Sequence, residues 1–77
     1  MTFVRVFVNA RGYDLPAGAT ALDAVQASDI ADADAVRAGT RLIADSRGLP
    51  VTPETPVYGG AIYRVITNRG GASEDAT

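Results

Sequence analysis

The two most strand-like segments of this chain lie at its opposite ends. Thr2 to Asn9 (TFVRVFVN) and Ala61 to Thr67 (AIYRVIT) are dense in β-branched and aromatic residues, the side chains that fit a pleated, half-buried surface. Between them the chain is broken by Pro and Gly into short pieces. As the most apolar strands, the two ends are good candidates for adjacent central positions in one sheet. If they run parallel, they need a long crossover between them.

The residues between supply the crossover. Alternation along the first segment puts Val4, Val6 and Val8 on one face, and Phe3, Arg5, Phe7 and Asn9 on the other. The Val face is expected to meet the core, with Phe3 and Phe7 flanking Arg5 on a partly covered second face. Asn9-Ala10-Arg11-Gly12 signals a turn with Gly available for positive φ, leading to a short hairpin strand at Tyr13-Asp14-Leu15 that Pro16 ends. Thr20 can cap a helix, with Asp23 near its positive end. Leu22 and Val25 share one side of that helix. Ser28-Asp29 interrupts it, and Ile30 to Ala38 continues, with Gly39 as its stop; one bent helix and two separate pieces both fit. Thr40 to Asp45 reads as a strand, Ser46-Arg47-Gly48 as a turn and Leu49-Pro50-Val51 as a brief strand. Thr52 to Pro56 reads as stiff and extended because of its prolines, and Val57-Tyr58-Gly59-Gly60 as another turn. The fold class expected is α+β, a four- to five-stranded mixed sheet packed on one main helix.

Composition narrows the chemistry. At 77 residues there is room for one domain. The chain has neither Cys nor His, so it lacks disulfides, thiolate ligands, a cysteine nucleophile and the commonest general base. All seven basic residues are Arg and are well spread, and net charge is −2; with no basic stripe, nucleic-acid binding is not expected. No apolar run approaches the length of a membrane span and no signal-peptide pattern opens the chain, so the expected location is the cytoplasm, with no membrane partner. Asp29, Asp32 and Asp34 lack the spacing of a calcium loop and read as helix surface. No catalytic or metal-binding residue and no cofactor is expected. Ser46 has neither His nor Lys to activate it. Tyr58 and Tyr63 read as half-buried packing.

Four segments together resemble the β-grasp group of ubiquitin-like proteins and sulfur carriers, which includes the thiamine-biosynthesis sulfur carrier, the small subunit of molybdopterin synthase and ubiquitin. VFVNARGYDLPAGATALDAV resembles the opening hairpin, the "P-x-G-x-T" loop and the helix start, with Pro16, Gly18, Thr20 and Leu22 in place. RLIADSRGLPV resembles the middle hairpin. TPVYGGAIYRVI resembles the turn feeding the last strand, with Ala61 where the group usually has an acidic residue. NRGG, Asn68 to Gly71, resembles the Gly-Gly tail. The ferredoxin-type relatives that share the "P-x-G-x-T" loop hold their cluster on cysteines, which this chain lacks.

The resemblance implies a β-grasp domain over residues 1–69 and an acidic, Gly-containing tail over 70–77. It implies a sulfur carrier or protein modifier, not an enzyme, whose working group is the carboxylate of a Gly70-Gly71 end. An ATP-dependent adenylating enzyme would activate that carboxylate for attack by sulfide, or by a thiol and then an amine. Residues 72–77 depart from the pattern, so a processing protease is implied as well. Cleavage after Gly71 would remove Glu74 and Asp75, taking net charge from −2 to zero. Partner contacts are expected from Phe3, Arg5, Phe7, Arg64 and Arg69. The alternative is an uncleaved interaction module, a small subunit or adaptor that binds a partner protein through its sheet face.

Overall fold

A computed structural model of the protein describes residues 2–68. Seven elements follow in order: β1 (Phe3–Val8), β2 (Arg11–Pro16), α1 (Ala21–Ser28), α2 (Ile30–Ala38), β3 (Arg41–Ala44), β4 (Pro50–Val51) and β5 (Ile62–Thr67). The strands form one five-stranded mixed sheet in the order β2-β1-β5-β3-β4. β1 and β5 lie side by side and parallel, with Phe7 level with Ile62 and Val8 with Tyr63; every other neighbouring pair is antiparallel. The two apolar ends of the chain therefore do meet at the middle of the sheet, joined by a helical crossover.

The helices cover one face. Val6, Val8, Leu15, Ile43 and Tyr63 from the sheet share a buried cluster with Ala21, Ala24 and Val25 of α1 and with Ala33 and Val36 of α2. Small side chains on the helices let their backbones come close to the sheet, and three of the alanines have no exposed surface at all. Val4, at the start of β1, is half-buried.

Of the two possibilities left open by the sequence, the structure has two separate helices of similar length, so the sheet packs on both and not on one main helix. Asp29 is the cause. Its backbone is extended, its N–H closes α1 on the Val25 carbonyl, and its side chain accepts from the Ala31 N–H to open α2. A residue that caps in both directions separates two helices rather than bending one. Gly39, at φ 84°, ends α2 in the left-handed conformation glycine adopts without strain.

Three further expectations need correcting. The β1–β2 turn takes its positive φ from Asn9 and Ala10, not from Gly12. The register pairs Val8 with Arg11 and leaves a two-residue loop, and both loop residues have positive φ, 51° and 73°. Such a loop matches the right-handed twist of its strands, and Gly12 then falls inside β2, opposite Phe7. Residues 52–56 are not extended: Pro53 and Glu54 form a turn closed by the Thr55 N–H on the Thr52 carbonyl at 3.1 Å. Last, the two tyrosines are not alike. Tyr63 is 3% exposed in the core and Tyr58 is 64% exposed in its turn, because Tyr63 lies in β5 level with Val8.

The 52–57 segment fixes where α1 begins. The Ala21 N–H donates to the Thr55 carbonyl at 2.8 Å and the Leu22 N–H to the Pro53 carbonyl at 3.0 Å. Thr20 Oγ1 accepts from the Asp23 N–H, and the Asp23 carboxylate accepts from the Thr20 N–H. This reciprocal capping box and the two loop carbonyls meet the helix's first donors, so its positive end has no free N–H to offer an anion.

Candidate functional site

The sheet face turned away from the helices is where the sequence placed most of the expected partner contacts, the working Gly70-Gly71 pair lying elsewhere in the chain. Strand parity and register place Phe3, Arg5 and Phe7 of β1 on it, together with Gly12 and Asp14 of β2, Ile62, Arg64 and Ile66 of β5, and Leu42 of β3. Phe3, Ile62 and Ile66 are 54%, 45% and 38% exposed, which is unusual for three large apolar side chains on one surface. Phe7 and Leu42 are half-buried.

Phe7 and Arg5 owe their posture to Gly12. A Cβ at Gly12 would lie 3.2 Å from both the Phe7 ring and the Arg5 guanidinium, so both side chains rest over bare backbone on the neighbouring strand. Arg5 is then held twice by Asp14: Nε donates to Oδ1 at 2.9 Å and Nη2 to Oδ2 at 3.1 Å. The Arg5 hydrogen bond holds the Asp14 carboxyl below the usual carboxylate range. Arg5 is thus presented on this face as half of an ion pair, not as a bare cation. Arg64 differs. It is exposed, it sits between Ile62 and Ile66 along β5 and opposite Ala44 on β3, and among the described residues it forms no ion pair.

The far end of β5 is tied down. Asn9 Oδ1 accepts from the Val65 N–H at 3.1 Å, bracing β5 against the β1–β2 turn. One residue past the strand, the Asn68 N–H donates to the Thr40 carbonyl at 3.0 Å and its side-chain amide to the Gly39 carbonyl at 2.8 Å. The chain is thereby fixed to the end of α2 and the start of β3. Arg69, Gly70 and Gly71 lie outside the described residues.

Other candidates have structural duties. Asp29 caps α2, Asp34 pairs with Arg37 at 2.8 Å, and Asp32 lies 3.8 Å from Arg41. Asp45 organises the β3–β4 turn by accepting from the Leu49 and Arg47 N–H groups, at 3.0 and 2.8 Å. Those bonds, Leu49's foremost, hold its carboxyl below the usual range. Among the described residues there is no pocket and no grouping of acidic side chains able to hold a metal ion. No helix among them is long and apolar enough to cross a membrane.

Leu42 was missed by sequence reasoning. Leu42 and Ile43 are consecutive and both apolar, so alternation cannot say which faces out; the register with β5 decides it. Comparison with known proteins adds no relative: no family model, no curated protein and no solved structure matches this chain.

Proposed function

We propose that this chain is a small β-grasp, ubiquitin-like protein that acts as a sulfur carrier or protein modifier through Gly70-Gly71, exposed when residues 72–77 are removed. The observation that carries the reading is the position of the last strand relative to the Gly-Gly pair. The central strand β5 ends at Thr67, and Asn68, two residues before Gly70 in the sequence, is hydrogen-bonded to the body. The strand order, with the two chain ends parallel at the centre and helices on one face, supports the fold this reading needs. Glycine's lack of a side chain lets such an end thread a narrow channel. The body supplies recognition and an electrophile, and an ATP-dependent adenylating enzyme supplies catalysis, so the chain needs neither His nor Cys.

Intact-mass analysis of the protein from its native cell tests this. The expected species ends at Gly71, either with sulfur in place of one carboxylate oxygen or joined to an amine of another protein. Recovery of nothing but the chain through Thr77 would refute the reading.

A second reading is favoured by the open sheet face. The exposed apolar residues Phe3, Ile62 and Ile66, with Arg64 between the two isoleucines and in no ion pair among the described residues, also suit an uncleaved module that binds a protein partner as a small subunit or adaptor. That partner would copurify stoichiometrically, and truncation after Gly71 would leave its binding intact.

A further inference from the structure

An activated carboxyl group acylates any unprotonated amine it meets, one on its own chain included. Resting on the carrier reading, we infer that the folded body offers its own Gly71 no acceptor: no side chain in these 77 residues can capture the acyl group, and the amino-terminal end of β1 is out of its reach. Each transfer then goes to sulfide or to an amine the body does not carry, and a second copy cannot be joined to the first through a side chain.

The step sets the requirement. In the acyl-adenylate of Gly71, an attacking amine nitrogen bonds to the carbonyl carbon. AMP leaves with the electron pair of the broken carbon–oxygen bond, and the amine's proton goes to solvent. Every basic side chain here is an arginine, and a guanidinium stays protonated with no lone pair to give. Thiol and imidazole are missing too. Hydroxyls remain. Beside Asn68, Thr40 Oγ1 donates to the Ala35 carbonyl at 3.2 Å, and the exposed Thr67 has neither His nor Lys to take its proton.

Geometry explains some of these arginines. Arg5 uses two nitrogens on Asp14, and Arg37 one on Asp34 and another on Gln26, forks that a single ammonium does not reproduce. Arg41, 3.8 Å from Asp32, and Arg64, in no ion pair among the described residues, show no such fork. A lysine would suit both positions, and both lie near the end of β5. Arg41 is level with Thr67, the residue before the Asn68 anchor. Residues 69 to 71 span at most about 10 Å, so an amine at position 41 would lie within reach of Gly71.

Sheet topology closes the other route. β1 and β5 run parallel with Phe7 level with Ile62. Five levels from Thr2 to Phe7 and six from Ile62 to Asn68 put Thr2 and Asn68 about 35 Å apart along the strands. Three residues cannot bridge that distance, so Gly71 does not meet the amino-terminal end of β1 in its own copy.

The test uses the full chain expressed in its native cell, read by intact mass and by fragment spectra that locate any isopeptide. Wild type should show Gly71 free, sulfur-bearing or joined to another protein, and never joined to a side chain of this one. Arg41→Lys keeps the charge and should yield a species one water lighter than the chain ending at Gly71, closed between Gly71 and position 41. The open Gly71 form should fall at least about twofold, because a short tether holds the new amine at an effective concentration of about millimolar order. Arg64→Lys, four residues back from Asn68, is the second variant if circular dichroism shows that Arg41→Lys does not fold. Arg47→Lys, in the turn beyond the far end of β3, should give no closed species. If wild type is activated but already joins Gly71 to one of its own side chains, or if the folded Arg41→Lys and Arg64→Lys variants stay open, the inference is overturned and the carrier reading stands. If wild type never ends at Gly71, both fall together.

Discussion

The two faces of the sheet carry the same kinds of residue in opposite circumstances. Along β1, Val6 and Val8 have no exposed surface, while the larger Phe3 on the other face is more than half exposed. Size does not decide which side chain goes inside; parity and the helices do. Above β1 the Ala-rich helices pack against valines, and phenylalanines at those fully buried positions would overpack the site. Among the described residues the outer face has no such lid. Its apolar residues are left to water or to a partner, and its polar groups settle among themselves, as Arg5 does with Asp14.

If that contrast is real, substitutions at matched depth on the two faces should separate widely. Ile43→Ala, at a fully buried position, should cost about 2–5 kcal/mol of unfolding free energy. A domain of this size has roughly 4–12 kcal/mol in total, so urea unfolding of the variant should begin at far lower denaturant. On the turn that joins β1 to β2, Ala10→Gly should stabilise by about 1 kcal/mol, because it removes the left-handed strain of an alanine at φ 73°; an unchanged or lower midpoint would show that the native turn carries no such strain.

Tyr63 sharpens the comparison from inside. Its hydroxyl is buried and, among the described residues, makes no hydrogen bond. Tyr63→Phe should therefore leave stability unchanged or raise it by about 1 kcal/mol. Burial first, and the nearby Tyr58 second, push this phenol above its ordinary value. The folded state thus prefers the neutral form. Stability is full below about pH 10, the unfolded phenol's value, and falls as pH rises from there through the folded value. The Phe variant should lose less stability than wild type over that alkaline range. The smallest effect belongs to the open face: Phe3→Ala should shift the unfolding midpoint by no more than about 0.5 kcal/mol. A larger loss would mean that the outer face contributes to the fold after all.

Local chemistry made part of this legible in the sequence. Thr20 with Asp23 signalled the start of α1 and Gly39 the end of α2, because caps are written in adjacent residues. The density of Val, Ile, Phe and Tyr at the two chain ends signalled the central strands. What stayed hidden depends on pairing. Nothing near Gly12 says that Val8 will face Arg11 and move the turn to Asn9-Ala10. Nothing near Pro53 says that its carbonyl will be needed by a helix well upstream, which folds the segment into a turn instead of letting it extend. On the outer face, Phe3 and Phe7 could be placed by alternation within β1, but Leu42 needed the β3–β5 register, and that Arg64 forms no ion pair among the described residues could be seen only once its neighbours were in place.

The closing of α1 by Thr55 and Pro53 has a consequence for how the molecule forms. Two of the helix's first donors are met by carbonyls more than thirty residues further along the chain. A growing polypeptide that has emerged only through β3 holds an α1 whose opening turn is half satisfied, and that turn frays. The helix becomes complete when the 52–57 segment arrives, just ahead of the strand that closes the sheet. Non-local closure of this kind slows assembly, and it makes the first helix and the last strand succeed or fail as one event.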